Sequence, residues 1–202
     1  SHRALDLLRT LEEPEWDGRL AVYLAEVPSL RVLYARARKL HRIPVTLPDG
    51  GAITLSPGGQ NVLLKYMIED FCALFTPGGQ VMYIGDADDK YALFHNEKLA
   101  ELGVTVTERG KMPDLVVSMP SRNWLVLLEA ASSHGPVDAT RRGELSVLFG
   151  DSTARLVFVS CFASRTEMRR YLSQIAWETD VWCADNPTHL IHFNGERFLG
   201  PY

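Results

Sequence analysis

The chain is short of cysteine. Cys72, Cys161 and Cys183 stand singly in apolar stretches, with no CxxC pair and no histidine at ligand spacing. That pattern supports neither a zinc site nor a disulfide framework and predicts three buried, reduced thiols. Long apolar runs are missing too: none approaches the roughly 18 residues a membrane helix needs, and the first residues lack the basic, apolar, small-residue order of a secretory signal. A cytoplasmic protein with no membrane partner is the expectation. No Gly-x-Ser-x-Gly elbow, repeat or low-complexity tract occurs, which argues against covalent serine catalysis and against a solenoid. Positive charge is scarce overall: the formal net charge of -4 argues against a surface that neutralises many phosphates. Distribution matters more than the sum, because a basic stripe can coexist with acids gathered elsewhere.

What is present is ordinary globular chemistry, 46% hydrophobic and 23% charged over 202 residues, enough for one sizeable domain with a small appendage. Apolar residues at helical spacing, first Leu5, Leu8 and Leu11 and then Leu20, Tyr23, Leu24 and Val27, predict a helical N-terminal region, 1–48. Its last segment, Ser29 to Leu40, is the most basic stretch of the chain. It contributes Arg36, Arg38 and Lys39, with Arg42 just beyond, as either a solvated helix face or a phosphate-contacting one. Ser1-His2 reads as an expression remnant, and the chain as part of a longer polypeptide. Pro, Gly and Thr crowd the stretch from Pro44 to Gly59, around Pro48-Asp49-Gly50-Gly51, and predict a flexible join to a main domain, 49–202.

Beyond the join, Ser56 as cap and Pro57 as first residue predict a helix through Phe75, buried through Leu63, Leu64, Met67, Ile68, Phe71 and Leu74. A strand at Val81–Ile84, a short helix near Asn96–Leu102 and an extended piece at Val104–Thr107 follow. Leu115–Met119 and Trp124–Ala130, joined by Pro120-Ser121-Arg122-Asn123, predict an antiparallel hairpin. Then come a helix at Asp138–Phe149, a strand at Arg155–Cys161, a helix at Ser164–Ile175, and extended stretches near Val181–Ala184 and Leu190–Phe193. The order implies an α/β fold with a mixed sheet flanked by helices.

The chemistry sits on the hairpin. Asp114 opens one strand and Glu129 closes the next, so antiparallel pairing brings both carboxylates to one edge of the sheet. Taken singly, an Asp after Pro is a common turn residue, and a strand-terminal Glu commonly faces water. Together they suit a divalent cation: Glu129 ends an apolar run with no basic residue in it, and a buried carboxylate needs a partner. Asp86, closing the strand that starts at Val81, is a third acid at a sheet edge.

Several longer strings carry a more specific signal. Ser-Pro-Gly-Gly-Gln-Asn at 56–61, Tyr-Ile-Gly-Asp at 83–86, Lys-Met-Pro-Asp at 111–114, Asn-Trp-Leu-Val-Leu-Leu-Glu-Ala at 123–130, Ser-His-Gly-Pro at 133–136 and the ending from Thr188 to Tyr202 resemble the BsuBI/PstI family of type II restriction endonucleases, from about Pro57 onward. The resemblance implies a restriction-endonuclease-like fold of the PD-(D/E)XK superfamily. It further implies Mg²⁺-dependent hydrolysis of double-stranded DNA at a specific palindrome, with a homodimer to cut both strands. A cognate methyltransferase would act on the same site without binding the enzyme. On that pattern Asp114 and Glu129 are metal ligands, the carbonyl of Ala130 is another, and Glu69 on the long helix is an acid candidate. The superfamily's lysine, expected two positions after the Glu, is absent: Ala131 stands there. Lys111, Lys90 and Arg142 are candidates for the displaced cation, Lys111 the favoured one. His134 is a candidate near the attacking water, and Arg142 joins the basic segment as a DNA contact. Relatives of this kind carry a larger N-terminal region than precedes Pro57 here, so that region is read as a truncated recognition domain. The alternative reading is a DNA-binding module whose catalysis has weakened.

Overall fold

The computed structural model describes residues 7–11, 14–25, 32, 41–86, 90–106, 111–132 and 135–193. The chain divides into two compact units, Ser1–His41 and Arg42–Tyr202. In the first, residues 16–25 form helix α1, and Arg19 Nη2 pairs with Glu15 Oε2 at 3.3 Å. Arg36, Arg38 and Lys39 lie outside the described residues, as does His134.

The second unit begins with a correction. The stretch expected as a flexible join is a β-hairpin, β1 (Ile43–Thr46) and β2 (Ala52–Leu55), antiparallel with Ile43 opposite Leu55. Its turn is where the Pro-Asp-Gly-Gly string predicts it: the Gly51 amide donates to Asp49 Oδ1 at 2.9 Å. The strands escape sequence reading because they are four residues long and one carries Pro44. Val45, Leu47 and Leu55 nevertheless enter the main core. The following helix starts later than expected. α2 covers Gly59–Tyr66, then widens into a π-type turn, Met67–Phe71, and closes with Cys72–Phe75. Gly58, not Ser56, is the residue at the cap position; the Ser56 amide donates to Asp86 Oδ2 at 3.0 Å and its carbonyl accepts from Asn61 Nδ2 at 2.9 Å.

Next in the chain are β3 (Gln80–Gly85), β4 (Tyr91–Phe94), α3 (Asn96–Glu101), β5 (Leu115–Met119), β6 (Trp124–Ala130) and α4 (Ala139–Leu148). The last elements are β7 (Arg155–Phe162), α5 (Arg165–Met168), β8 (Thr179–Cys183) and β9 (Leu190–Phe193). They build a seven-stranded sheet in the order β4-β3-β5-β6-β7-β8-β9. It is mixed: β6, β7 and β8 run parallel, and the other neighbours are antiparallel. β4 was not anticipated. The helix expected over Ser164–Ile175 is only one α-turn, continued by a 3₁₀ turn at Arg169–Tyr171, and residues 104–106 form no strand.

The two-residue alternation of strands decides the layers. Leu115, Val117, Met119, Val126, Leu128 and Ala130 face α2 and the hairpin, packing on Leu64, Met67 and Phe71. Val116, Leu125 and Leu127 face the other way, onto Leu99 of α3 and Leu145 of α4. Each such side chain contributes roughly 1.5–3 kcal/mol by leaving water. The cysteines are all free and buried, and no described helix is long and apolar enough to cross a membrane.

The segment between β6 and α4 is anchored by the buried amide of Val137, which donates to Ser160 Oγ of β7 at 2.9 Å. Ser160→Ala strands that N–H in the core. We expect a loss of about 1–3 kcal/mol in urea unfolding, with a lower midpoint and an unchanged slope.

Candidate active site

Strand register makes the site. Leu115 of β5 lies opposite Leu128 of β6, so the residues one step outward, Asp114 and Glu129, meet at one edge of the sheet. Two neutral donors then fix Asp114: Gln60 Nε2 from the first turns of α2 at 2.8 Å to Oδ1, and the amide of Ala130 at 2.8 Å to Oδ2. Glu129 shares a strand face with Leu125 and Leu127, directed at α4. Burial, reinforced by the neighbouring charge of Asp114, pushes its carboxyl up to about 7, against the opposing pull of Arg141. The two carboxyls are within hydrogen-bonding reach of each other.

Arg141 is the residue that sequence reasoning missed. It sits in the first turn of α4, whose start is set by the cap of Asp138 Oδ1 on the Arg141 amide at 2.7 Å. From there its Nε reaches Glu129 Oε1 at 2.7 Å and its Nη2 the same oxygen at 2.6 Å. The rest of the guanidinium is engaged as well, Nη1 with Glu144 Oε2 at 3.1 Å and Nη2 with the carbonyls of Lys111 and Met112 at 3.0 and 3.1 Å. A helical Arg three residues after a capping Asp, just past an acid-bearing strand, was the available signal.

The other candidates fall out as follows. Lys111 borders a cleft of about 190 Å³ beside Glu129, with Gly135, Asp138, Arg141 and Glu144, yet its contact with the arginine is through its backbone carbonyl. Asp86 is near in the backbone sense, since the Gly85 amide donates to the Asp114 carbonyl at 2.8 Å. Its carboxylate, however, takes the Ser56 amide and Asn61 Nδ2, the latter at 3.3 Å. Glu69 accepts from the Thr46 amide at 2.9 Å and pairs with Lys65 at 3.2 Å, which ties the helix to the hairpin. Among the described residues no three His, Cys, Asp or Glu side chains group as a metal site, and the carboxylates of Asp86 and Glu69 are engaged with other partners. The Ala130 carbonyl already accepts from the Ser132 amide at 2.9 Å, which leaves it one lone pair. Arg142, one step around the helix from Arg141, turns away to Glu178 at 2.8 Å and over the Phe158 ring. Arg42 donates to Thr54 Oγ1 at 3.3 Å. Lys90 has only its carbonyl engaged, by the Tyr83 hydroxyl at 3.1 Å. A cavity of about 730 Å³ lies at the Trp124 end of β6, the opposite end from Glu129.

A mixed sheet that delivers a hairpin pair of acids to one edge, with helices on both faces, is the layout of a restriction-endonuclease fold. The structure superposes on that of the SdaI restriction endonuclease with a TM-score of 0.76 and 44% identity, covering 100% of this chain and 64% of that one. The BsuBI/PstI restriction endonuclease domain matches residues 43–196, and the chain belongs to that family. It is 46% identical over 198 residues to the type II restriction enzyme BsuBI of Bacillus subtilis. It is 29% identical over 206 residues to the type II restriction enzyme AplI of Arthrospira platensis. In both cases the alignment takes in 98% of this chain and 63% of the relative, so the chain spans less than two thirds of their length.

The raised carboxyl of Glu129 has a consequence for stability. The fold holds its protonated form better than the unfolded chain does. The contribution of Glu129 to stability is therefore greatest below about 4.5 and is lost as pH rises through about 7. Glu129→Gln removes this dependence. In metal-free buffer the stability of the wild type relative to this variant should fall between pH 4 and pH 8, by an amount on the order of 1–3 kcal/mol, measured by urea unfolding. A gap independent of pH contradicts the assignment.

Proposed function

We propose that this chain is the catalytic part of a type II restriction endonuclease that hydrolyses phosphodiester bonds of double-stranded DNA at a specific, palindromic site with Mg²⁺. The observation that carries the reading is the meeting of Asp114 and Glu129 at one sheet edge. The donor set fits a hard divalent ion: two neighbouring carboxylates have between them a single guanidinium, bonded to Glu129, and their oxygens keep lone pairs available. Mg²⁺ takes one or two carboxylates and fills its remaining positions with water and phosphate oxygens. Asp114, Glu129 and the Ala130 carbonyl would hold it. Such an ion neutralises charge on the phosphoryl group and makes water a better nucleophile at neutral pH.

The protein's own work is positional. Gln60 and the Ala130 amide fix both oxygens of Asp114. Asp86 fastens the segment before α2 to the end of β3, so that Gln60 is delivered to the correct place. Lys111, which borders the cleft beside Glu129, and His134, five residues after Glu129 in sequence, are proposed to act on the water or the phosphate, with Arg36, Arg38, Lys39, Arg42 and Arg142 as further contacts to DNA. A homodimer supplies two centres for two strands. The cytoplasm supplies the DNA, protected by a methyltransferase that reads the same sequence and does not bind the enzyme.

A second basic surface supports the reading. Arg165, Arg169 and Arg170 follow the end of β7, whose Cys161 pairs with Ala130. The next residue, Tyr171, directs its hydroxyl at the Ser132 carbonyl, 3.5 Å away. Arg169 and Arg170 are exposed, and none of the three side chains has an ion pair or hydrogen bond among the described residues. In a chain of net charge -4 this is a natural track for phosphates. Replacing all three with alanine should weaken DNA binding and reduce the slope of log affinity against log salt by about 3; an unchanged slope removes the track.

The central test is cleavage of supercoiled and linear DNA with Mg²⁺. Asp114→Ala and Glu129→Ala should each lower the rate by at least about 10³-fold, and undiminished cutting by both would sink the proposal. Ala131 motivates one other reading, a binding module without catalysis. Calorimetry separates the two, since intact DNA binding with no uptake of Mg²⁺ belongs to the module.

A further inference from the structure

We infer that Arg141 is a positioning residue for the metal-binding carboxylate, the cation that helix α4 brings to Glu129 in a chain with no lysine two residues after it. This rests on the proposed nuclease reading. Both strong contacts of the guanidinium, at 2.7 and 2.6 Å, fall on Oε1 of Glu129. Among the described residues Oε2 receives no donor. Holding a carboxylate by one oxygen fixes its rotamer while leaving the other free for a ligand, which is the usual service of an outer partner at a metal site.

Arg141 is suited to this because it is itself immobilised. Its planar fork of five N–H donors meets Glu129, Glu144 and the two carbonyls that precede Pro113-Asp114. One side chain thereby links the strand that carries Glu129 to the loop that delivers Asp114. A shift of either acid is resisted by the same group. The reason the cation comes from α4 is visible at position 131. Ala131 is 2% exposed and packs with Phe162, Ile175 and Cys183, and its amide is committed to the Cys161 carbonyl at 2.8 Å. A longer side chain there would have to displace this packing. Neither of the other candidates holds Glu129: Lys111 meets Arg141 through its carbonyl, and Arg142 is turned to Glu178.

The test uses Arg141→Lys and Arg141→Gln, read in three ways: Mn²⁺ binding by calorimetry without DNA, kcat and KM for cleavage, and thermal unfolding. Arg141→Gln should weaken Mn²⁺ binding about tenfold and lower kcat about 100-fold, with KM for DNA within about threefold of wild type. Arg141→Lys restores the charge without the fork and should recover about tenfold of kcat. If Arg141→Gln does not fold, Arg141→Lys carries the test alone: it must fall below wild type in kcat with KM held. Wild-type Mn²⁺ affinity and kcat in Arg141→Gln overturn the inference. So does tighter metal binding, which would make Arg141 a competitor of the ion, and so does a change confined to KM, which would make it a DNA contact. Normal cutting by the Asp114 and Glu129 variants overturns the nuclease reading instead. If those two are inactive and Arg141→Gln is not impaired, only the role of Arg141 falls.

Discussion

Everything at this centre depends on two like charges being forced together by backbone hydrogen bonds. The β5–β6 ladder places Leu115 opposite Leu128, and the Ala130 amide reaches across to Asp114 at 2.8 Å. Neither carboxylate chooses its neighbour. The sheet imposes it, and the opposition is reinforced by burial, which holds the Glu129 carboxyl near 7. Free energy for this comes from the strands themselves. Leu115, Val116, Val117, Leu125, Leu127 and Leu128 are fully or almost fully buried, and a one-residue slip would exchange every one of them between the two packed faces. A register this costly to change can support an unfavourable pair at its end.

Compensation arrives from both layers of helices. α2, on one face, reaches Asp114 through Gln60 with a neutral amide. α4, on the other, reaches Glu129 through Arg141 with a full charge. The asymmetry is informative. A cation at each acid would neutralise the pair and leave little demand for a metal, whereas one guanidinium for two carboxylates leaves the centre short of positive charge. Glu144 takes part of that guanidinium as well, which widens the deficit.

How much of this could be read from the chain follows from the range of the interactions involved. The Asp114–Glu129 meeting is local: two strands, a four-residue connection and an alternating pattern define it, so it was legible. The strings at 56–61 and 83–86 were visible as a resemblance, but their purpose was not. Only the folded chain reveals that Asn61 and the Ser56 amide hold Asp86 while Gln60 holds Asp114. The partners of Glu69 and Arg142 were not legible for one physical reason. On a helix each residue turns about 100° from the last, so whether Arg141 or Arg142 enters the cleft depends on where the cap begins, and a π-type turn at Met67–Phe71 shifts the facing of Glu69 toward the hairpin. The hairpin itself was hidden by its brevity.

The proposed action on DNA is then less paradoxical than the net charge suggests. Asp114 and Glu129 account for part of the negative total while engaged with donors inside the fold, and Glu144 and Glu178 are neutralised by Arg141 and Arg142. Charge that steers DNA must instead be exposed and unpaired. The arginines after β7 meet that description beside the site, and the larger cavity at the other end of β6 does not. Its walls mix Phe71, Trp124 and Phe193 with the Asp180–His192 pair. Size alone would have chosen the wrong end of the sheet. Fixed acids with unpaired base beside them choose the other.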